Sequence, residues 1–255
     1  MARSPDATRE LFDRLTRQAR LTAKNPDAAQ VHNLRVAIRR FSQAMAMLPE
    51  ETPGVASIHR KLKKTMTLAG AVRDADIAVK LVAKLKPAGA KGLQARLSRR
   101  RSESEKRLLD SLPELALRHP IRSPLAPMAQ GAVLHAAKRL FKRGAKADDS
   151  KGLHQLRIAA KKLRYTLELL APNTDRLPQI ERLQSRLGAI NDYETARRLV
   201  EEESGPKKLV EQIENKQRRK IRDFRRYWKS DFEGEENYRK WMADLSRTGK
   251  RAAAA

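Results

Sequence analysis

The sequence predicts an all-α fold, on three observations. Apolar residues recur at three- and four-residue spacing through most of the chain, the interval at which side chains share one helix face. Twelve prolines fall between such segments rather than inside them, and a residue with a fixed φ and no N–H begins or ends helices. Aromatic residues make up 4% of the chain and charged ones 34%, a composition suited to helices packed through Leu, Ala and Ile rather than to a β-sandwich.

In order, helices are expected over 6–24, 27–48, 55–69, 74–86 and 90–111, then a turn-rich connector from Leu112 to Pro127. A second set is expected over 126–143, 151–170, 178–189, 192–203 and 206–229. Breaks are placed at Gly70 and Gly188, each four residues before an acid, Asp74 or Asp192, that would cap the next helix or form an internal ion pair. Residues 231–255 read as a C-terminal segment with a frayed tail, RTGKRAAAA.

A chain of 255 residues with 40% hydrophobic content can bury one large core or two modest ones. Its formal charge of +26 attracts polyanions over a long range at low salt. The absence of cysteine excludes disulfides and thiolate metal sites. The N-terminus lacks an apolar leader core, and no apolar run approaches the 18 or so residues of a membrane span. A cytoplasmic protein without membrane partners is therefore expected.

The stretch GLHQLRIAAKKLRYTLELL, from Gly152 to Leu170, divides its residues between two faces of one helix. At about 100° per residue, His154, Arg157, Lys161, Lys162, Arg164 and Tyr165 share an arc. Leu156, Ala159, Leu163, Leu167 and Leu170 form the opposite, apolar stripe. No acid precedes Glu168 in this stretch, so the cations lack the carboxylates four residues away that a solvent-facing helix normally carries.

The earlier stretch VHNLRVAIRRFSQAMAML aligns with it without a gap at a spacing of 122 residues. His32 matches His154, Arg35 matches Arg157, and Arg39 and Arg40 match Lys161 and Lys162. Leu34, Ala37, Phe41, Met45 and Leu48 fall on the apolar arc. On the preceding helices Arg17 and Arg20 match Arg139 and Lys142. Downstream, LKKTMTLAGAVRDADIA and IERLQSRLGAINDYETA pair Lys64 with Arg182, Gly70 with Gly188 and Asp74 with Asp192, at a spacing of 118. Two such halves suggest a pseudo-twofold helical bundle in which the cationic faces meet.

Paired H-x-x-R-x-x-x-(R/K)-(R/K) helices, the second continuing as KKLRY, each followed by an (L/A)-G-A-(V/I)-x-D string, resemble the CHAD domain, the conserved histidine α-helical domain. The resemblance covers residues 6–230 as one domain of two repeats, 6–112 and 126–230. It implies two pseudo-symmetric four-helix bundles around a basic central channel that binds inorganic polyphosphate without catalysis or a cofactor. Carried over by position, the binding residues would be His32, Arg35, Arg39, Arg40, Lys64, His154, Arg157, Lys161, Lys162, Arg164 and Arg182. Arg17, Arg20, Arg139, Lys142 and Tyr165 would be secondary. Polyphosphate granules are a candidate location. The first copy departs from the second at Ser42 and Gln43, where the other has Arg164 and Tyr165. Hydrolase domains fused to some family members carry an E-x-E-x-K strand motif. The nearest string here, Glu103-Ser104-Glu105-Lys106, has the wrong spacing.

Polyphosphate offers charge and no bases, so guanidinium forks and ammonium point charges suffice to hold it. The motif histidines would sit neutral among cations and take up protons when a polyanion binds. Two rivals share this chemistry in part. Nucleic acid suits the net charge, and the run KQRRKIRDFRRYW from Lys216 offers Tyr227 and Trp228 for stacking, or packs them inward as core. A phosphohydrolase would need carboxylates such as Asp74, Asp76 and Asp192 gathered around a metal ion, and a phosphoacceptor would use His154. No metal ligand set is read from the sequence.

Overall fold

The computed structural model describes residues 6–46, 54–87, 90–115 and 129–254. Their regular elements are all helical: α1 (Asp6–Lys24), α2 (Ala28–Met45), α3 (Val55–Leu85), α4 (Ala90–Ser111) with a 3-10 turn at Leu112–Leu115, α5 (Ala129–Gly144), α6 (Ser150–Leu170), α7 (Leu177–Glu202), α8 (Lys207–Asp231) and α9 (Glu235–Ala254). The all-α class is as expected. Leu48, the connector from 116 to Pro127 and the expected helix start at Ala126 lie outside the described residues.

The two expected breaks are absent. α3 runs through Gly70 and α7 through Gly188, so Asp74 and Asp192 lie inside helices and cap nothing. The reason lies in what these helices must reach. At 31 residues α3 is about 46 Å long, and its buried residues serve two cores in succession.

The chain folds into two compact units, one of Pro5–Leu125 with Asp192–Lys216, the other of Ala126–Asn191 with Gln217–Ala255. The repeats follow the sequence, whereas the end of α7 and the start of α8 fold with the first unit. In the first unit, Phe12 and Leu15 of α1, Leu34, Ile38 and Phe41 of α2, Leu62 and Ala69 of α3, and Leu108 of α4 form one core. Ala78 and Val82 of α3, Leu93 and Leu97 of α4, Leu199 and Val200 of α7, and Leu209 and Ile213 of α8 form another. Each buried Leu, Ile, Val or Phe side chain contributes about 1.5–3 kcal/mol by leaving water.

The second unit has one core, built by Leu140 of α5, Leu156 and Leu163 of α6, Leu183 and Leu187 of α7, Phe224 and Trp228 of α8, and Trp241 and Leu245 of α9. The segment beyond residue 230 is therefore structural. Trp228 and Phe232 stack with ring centres 5.0 Å apart, and Arg176 lies 4.8 Å over the Trp241 ring while pairing with Asp244. The backbone of α9 stays helical to Ala254, through most of the expected tail.

Candidate functional site

Each motif helix begins at an aspartate five residues before its histidine. Asp27 accepts the Gln30 backbone N–H at 2.7 Å, and Asp149 accepts that of Gly152 at 2.6 Å. A carboxylate there satisfies an orphan amide and opposes the helix dipole, which fixes where the helix starts and hence where its faces point. The two caps stand at the same 122-residue spacing as the histidines, a repeated feature that alignment from the histidine onward passes over.

In the first unit, α2 buries Leu34, Ile38, Phe41 and Met45. Ile38, not Ala37, completes the stripe, and Ala37 stays half-buried. His32 is exposed, and Arg35, Arg39 and Arg40 are half-buried. Arg35 crosses to α3, where its Nη1 donates to the Met66 carbonyl oxygen at 3.0 Å. The crossing passes over Gly70, where an added Cβ would stand 2.9 Å from that nitrogen. This glycine thus makes room for the motif arginine inside a continuous helix. At Gly188 a Cβ would meet nothing within 4 Å, so the matched positions do different things.

Partial burial of the His32 ring, then the guanidiniums of Arg73, Arg39 and Arg35, hold its pKa below the ordinary value. The residue keeps an exposed edge, so solvent softens both effects while leaving the ring open to a ligand. Arg73 belongs to this cluster although the sequence reading passed over it. Its repeat partner is Asn191, so a search for repeated cations misses it.

Between α1 and α2 lies a groove of about 390 Å³ lined by Leu11, Arg14, Arg17, Gln18, Asn33, Val36, Ala37 and Arg40. It brings Arg17 and Arg40 together with Arg14, whose repeat partner is Ala136. Arg20 is exposed on α1 but does not line this groove. Lys64 is exposed on α3 and pairs with Glu114 at 2.8 Å, a surface contact worth about 0–1 kcal/mol that a stronger anion can displace.

In the second unit, α6 exposes His154 and Lys162 and leaves Arg157, Lys161, Arg164 and Tyr165 half-buried. Arg164 finds its acids within the fold, Glu168 one turn on at 2.7 Å and Glu181 of α7 at 3.0 Å, with the Gln184 amide oxygen at 3.3 Å. Gln184 in turn donates to the Ala160 carbonyl at 2.8 Å, tying α7 to α6. Arg164 is therefore a structural ion pair as much as a candidate ligand. Arg35, Arg39, Arg40, Arg157 and Lys161 also engage groups of the protein.

Arg182 is exposed on α7 near Tyr227 of α8, whose hydroxyl donates to the Gln179 carbonyl at 3.5 Å, while Arg186 lies 4.3 Å over the same ring. Burial, with Asp231 nearby, holds the Tyr227 hydroxyl above its ordinary pKa against those two guanidiniums. Arg139 and Lys142 are exposed on α5.

The carboxylates considered for metal chemistry are otherwise engaged. Asp74 meets Arg198 at 3.5 Å. Asp76 accepts from Arg101 at 3.0 Å, and Arg101 also donates to the Pro26 carbonyl ahead of α2 at 2.6 Å. Among the described residues no three His, Asp or Glu side chains stand close enough to share a metal ion, and no helix is long and apolar enough to cross a membrane.

The chain matches the family model of the CHAD domain over residues 6–201. In structure it is similar to the crystal structure of the CHAD domain from the plant Ricinus communis, with a TM-score of 0.59 and 21% sequence identity. That comparison covers 94% of this chain and 89% of the other. At this identity the likeness speaks for the fold. No curated protein matches the chain in sequence.

Proposed function

The chain belongs to the CHAD-domain family, and on that premise we propose that it binds inorganic polyphosphate without catalysing a reaction on it. The observation that carries the reading is the cluster at His32, where partial burial and the guanidiniums of Arg73, Arg39 and Arg35 disfavour the proton of the imidazole. Such a cluster gathers cations around one exposed ring, and a polyanion would be drawn to it and would favour the imidazolium. The groove with Arg14, Arg17 and Arg40 extends the first face across α1 and α2. The α6 face supplies Arg157, Lys161 and Lys162 in the second unit.

A linear polyphosphate suits these faces because each internal unit carries about one charge and nothing else to read, so bidentate guanidinium contacts provide both strength and geometry. A non-catalytic role accords with Asp74 and Asp76 being held by Arg198 and Arg101 rather than gathered for an ion. The family resemblance implies a basic channel, in which case affinity climbs with polymer length. Cytoplasmic polyphosphate deposits would be the place to find the protein.

The test is a titration with long-chain polyphosphate at low and high salt, for the wild type, Arg35→Ala with Arg39→Ala, and Arg157→Ala with Lys161→Ala. Each pair of substitutions is expected to weaken binding about tenfold or more and to flatten the salt dependence. Unchanged affinity in both variants, or phosphate release in the presence of magnesium, would overturn the reading.

A further inference from the structure

α8 carries a second cationic surface, outside the stretch that matches the family. Between residues 215 and 230 the single acid is Asp223. Arg218, Arg219, Arg222, Arg225, Arg226 and Lys229 fall within an arc about 120° wide at 100° per residue, and all six are exposed. From Arg218 to Lys229 they form a straight ridge about 16 Å long. All lie in the second unit.

The ridge is only partly neutralised. Arg226 pairs with Asp223 at 2.7 Å, Arg225 donates to the Asp148 carbonyl at 2.5 Å, and Arg218 engages a neighbouring group. Among the described residues, Arg219, Arg222 and Lys229 have no such partner. The aromatic residues of the same run face the other way. Phe224 and Trp228 are buried in the core, and Tyr227 is covered by Arg186. The exposed face thus offers charge without a stacking platform.

We propose that this ridge binds the phosphate backbone of double-stranded DNA, without reading its sequence. Single strands are held chiefly by bases stacked on aromatic side chains, and here those rings are enclosed. A flexible linear polyphosphate laid on a convex helix would lose conformational freedom for contacts on one side only. A duplex presents its phosphates already arrayed, and cations on an exposed helix gain by releasing its condensed counterions. The proposal is independent of the polyphosphate reading, since it uses different residues.

The experiment compares the wild-type chain with the triple variant Arg219→Ala, Arg222→Ala, Lys229→Ala. Probes are a 20-base-pair DNA duplex, a single strand of equal charge and long-chain polyphosphate, at several salt concentrations. The variant is expected to bind the duplex about tenfold or more weakly, with the log–log salt slope reduced by about 3, and to keep polyphosphate affinity within about twofold. Arg35→Ala with Arg39→Ala is expected to keep duplex binding. Because the three side chains are exposed, an unchanged melting temperature should accompany the loss. Undiminished duplex binding by the triple variant overturns the proposal. So does an equal loss for polyphosphate, which would reduce the ridge to general surface charge, and so does single-strand binding as tight as duplex binding. If polyphosphate binding fails in the wild type while the duplex results hold, the functional reading falls and this one stands.

Discussion

At the scale of single residues, His32 and Gly70 carry the most information. The His32 imidazole has its pKa lowered by partial burial and by Arg73, Arg39 and Arg35. The folded state therefore binds its proton at lower pH than the unfolded chain, whose histidine titrates near 6.5. Its contribution to stability is complete above that value and is lost as pH falls from there through the lower folded-state value. A bound polyanion reverses the bias by favouring the imidazolium, so binding takes up a proton and affinity rises as pH falls through the same window. Calorimetry in buffers of differing ionisation enthalpy is expected to show uptake in the wild type and less in His32→Asn. A heat independent of buffer would refute it. Gly70 makes the complementary point. Gly70→Ala adds helix propensity worth up to about 1 kcal/mol but pushes against the Arg35 guanidinium. The variant is expected to bind polyphosphate several-fold more weakly without melting earlier, while Gly188→Ala, with open space around it, binds as the wild type does.

At the scale of elements, the aspartate caps decide how each motif helix presents its cations. Without the Asp27 or Asp149 carboxylate the first turn keeps an unsatisfied amide and frays, and the histidine lies only five residues in. Asp27→Ala and Asp149→Ala are each expected to cost about 1 kcal/mol of stability, read by denaturant unfolding. Both are expected to weaken polyphosphate binding less than loss of an arginine does, because the acid itself touches no ligand. Asp→Asn at either position is expected to restore most of the stability, since an amide oxygen caps as well. α3 and α7 show a different constraint. Their glycines read locally as stops, yet the helices continue because buried residues on both sides of Gly70 belong to cores that one long rod must join.

At the scale of the whole molecule, residues 192–216, which belong to the second repeat, fold with the first unit, and this marks the limit of reading along the chain. Whereas α9 read as a segment with a frayed tail, the all-α class, most helices up to residue 231, the matched histidine and arginine positions and the family were legible in the sequence, because each rests on periodicity, proline placement or spacing. These are properties of neighbours along the backbone. The continuity of α3 and α7 was not legible, since a glycine's tendency to end a helix, worth about 1 kcal/mol, is overridden by burial distributed over many side chains. Arg14 and Arg73 were missed because their counterparts in the other copy, Ala136 and Asn191, carry no charge, so repetition concealed them. Arg164 looked unpartnered although Glu168 stands at the i,i+4 spacing and pairs with it; its second acid, Glu181, comes from α7. The inward turn of Tyr227 and Trp228 was one of two orientations the pattern allowed. The sequence alone therefore determined the helices, their cationic faces and the kind of partner such charge invites. Only the tertiary structure decided which cations crowd together and which are neutralised, because that depends on groups far apart in the chain being brought within a few ångströms by packing.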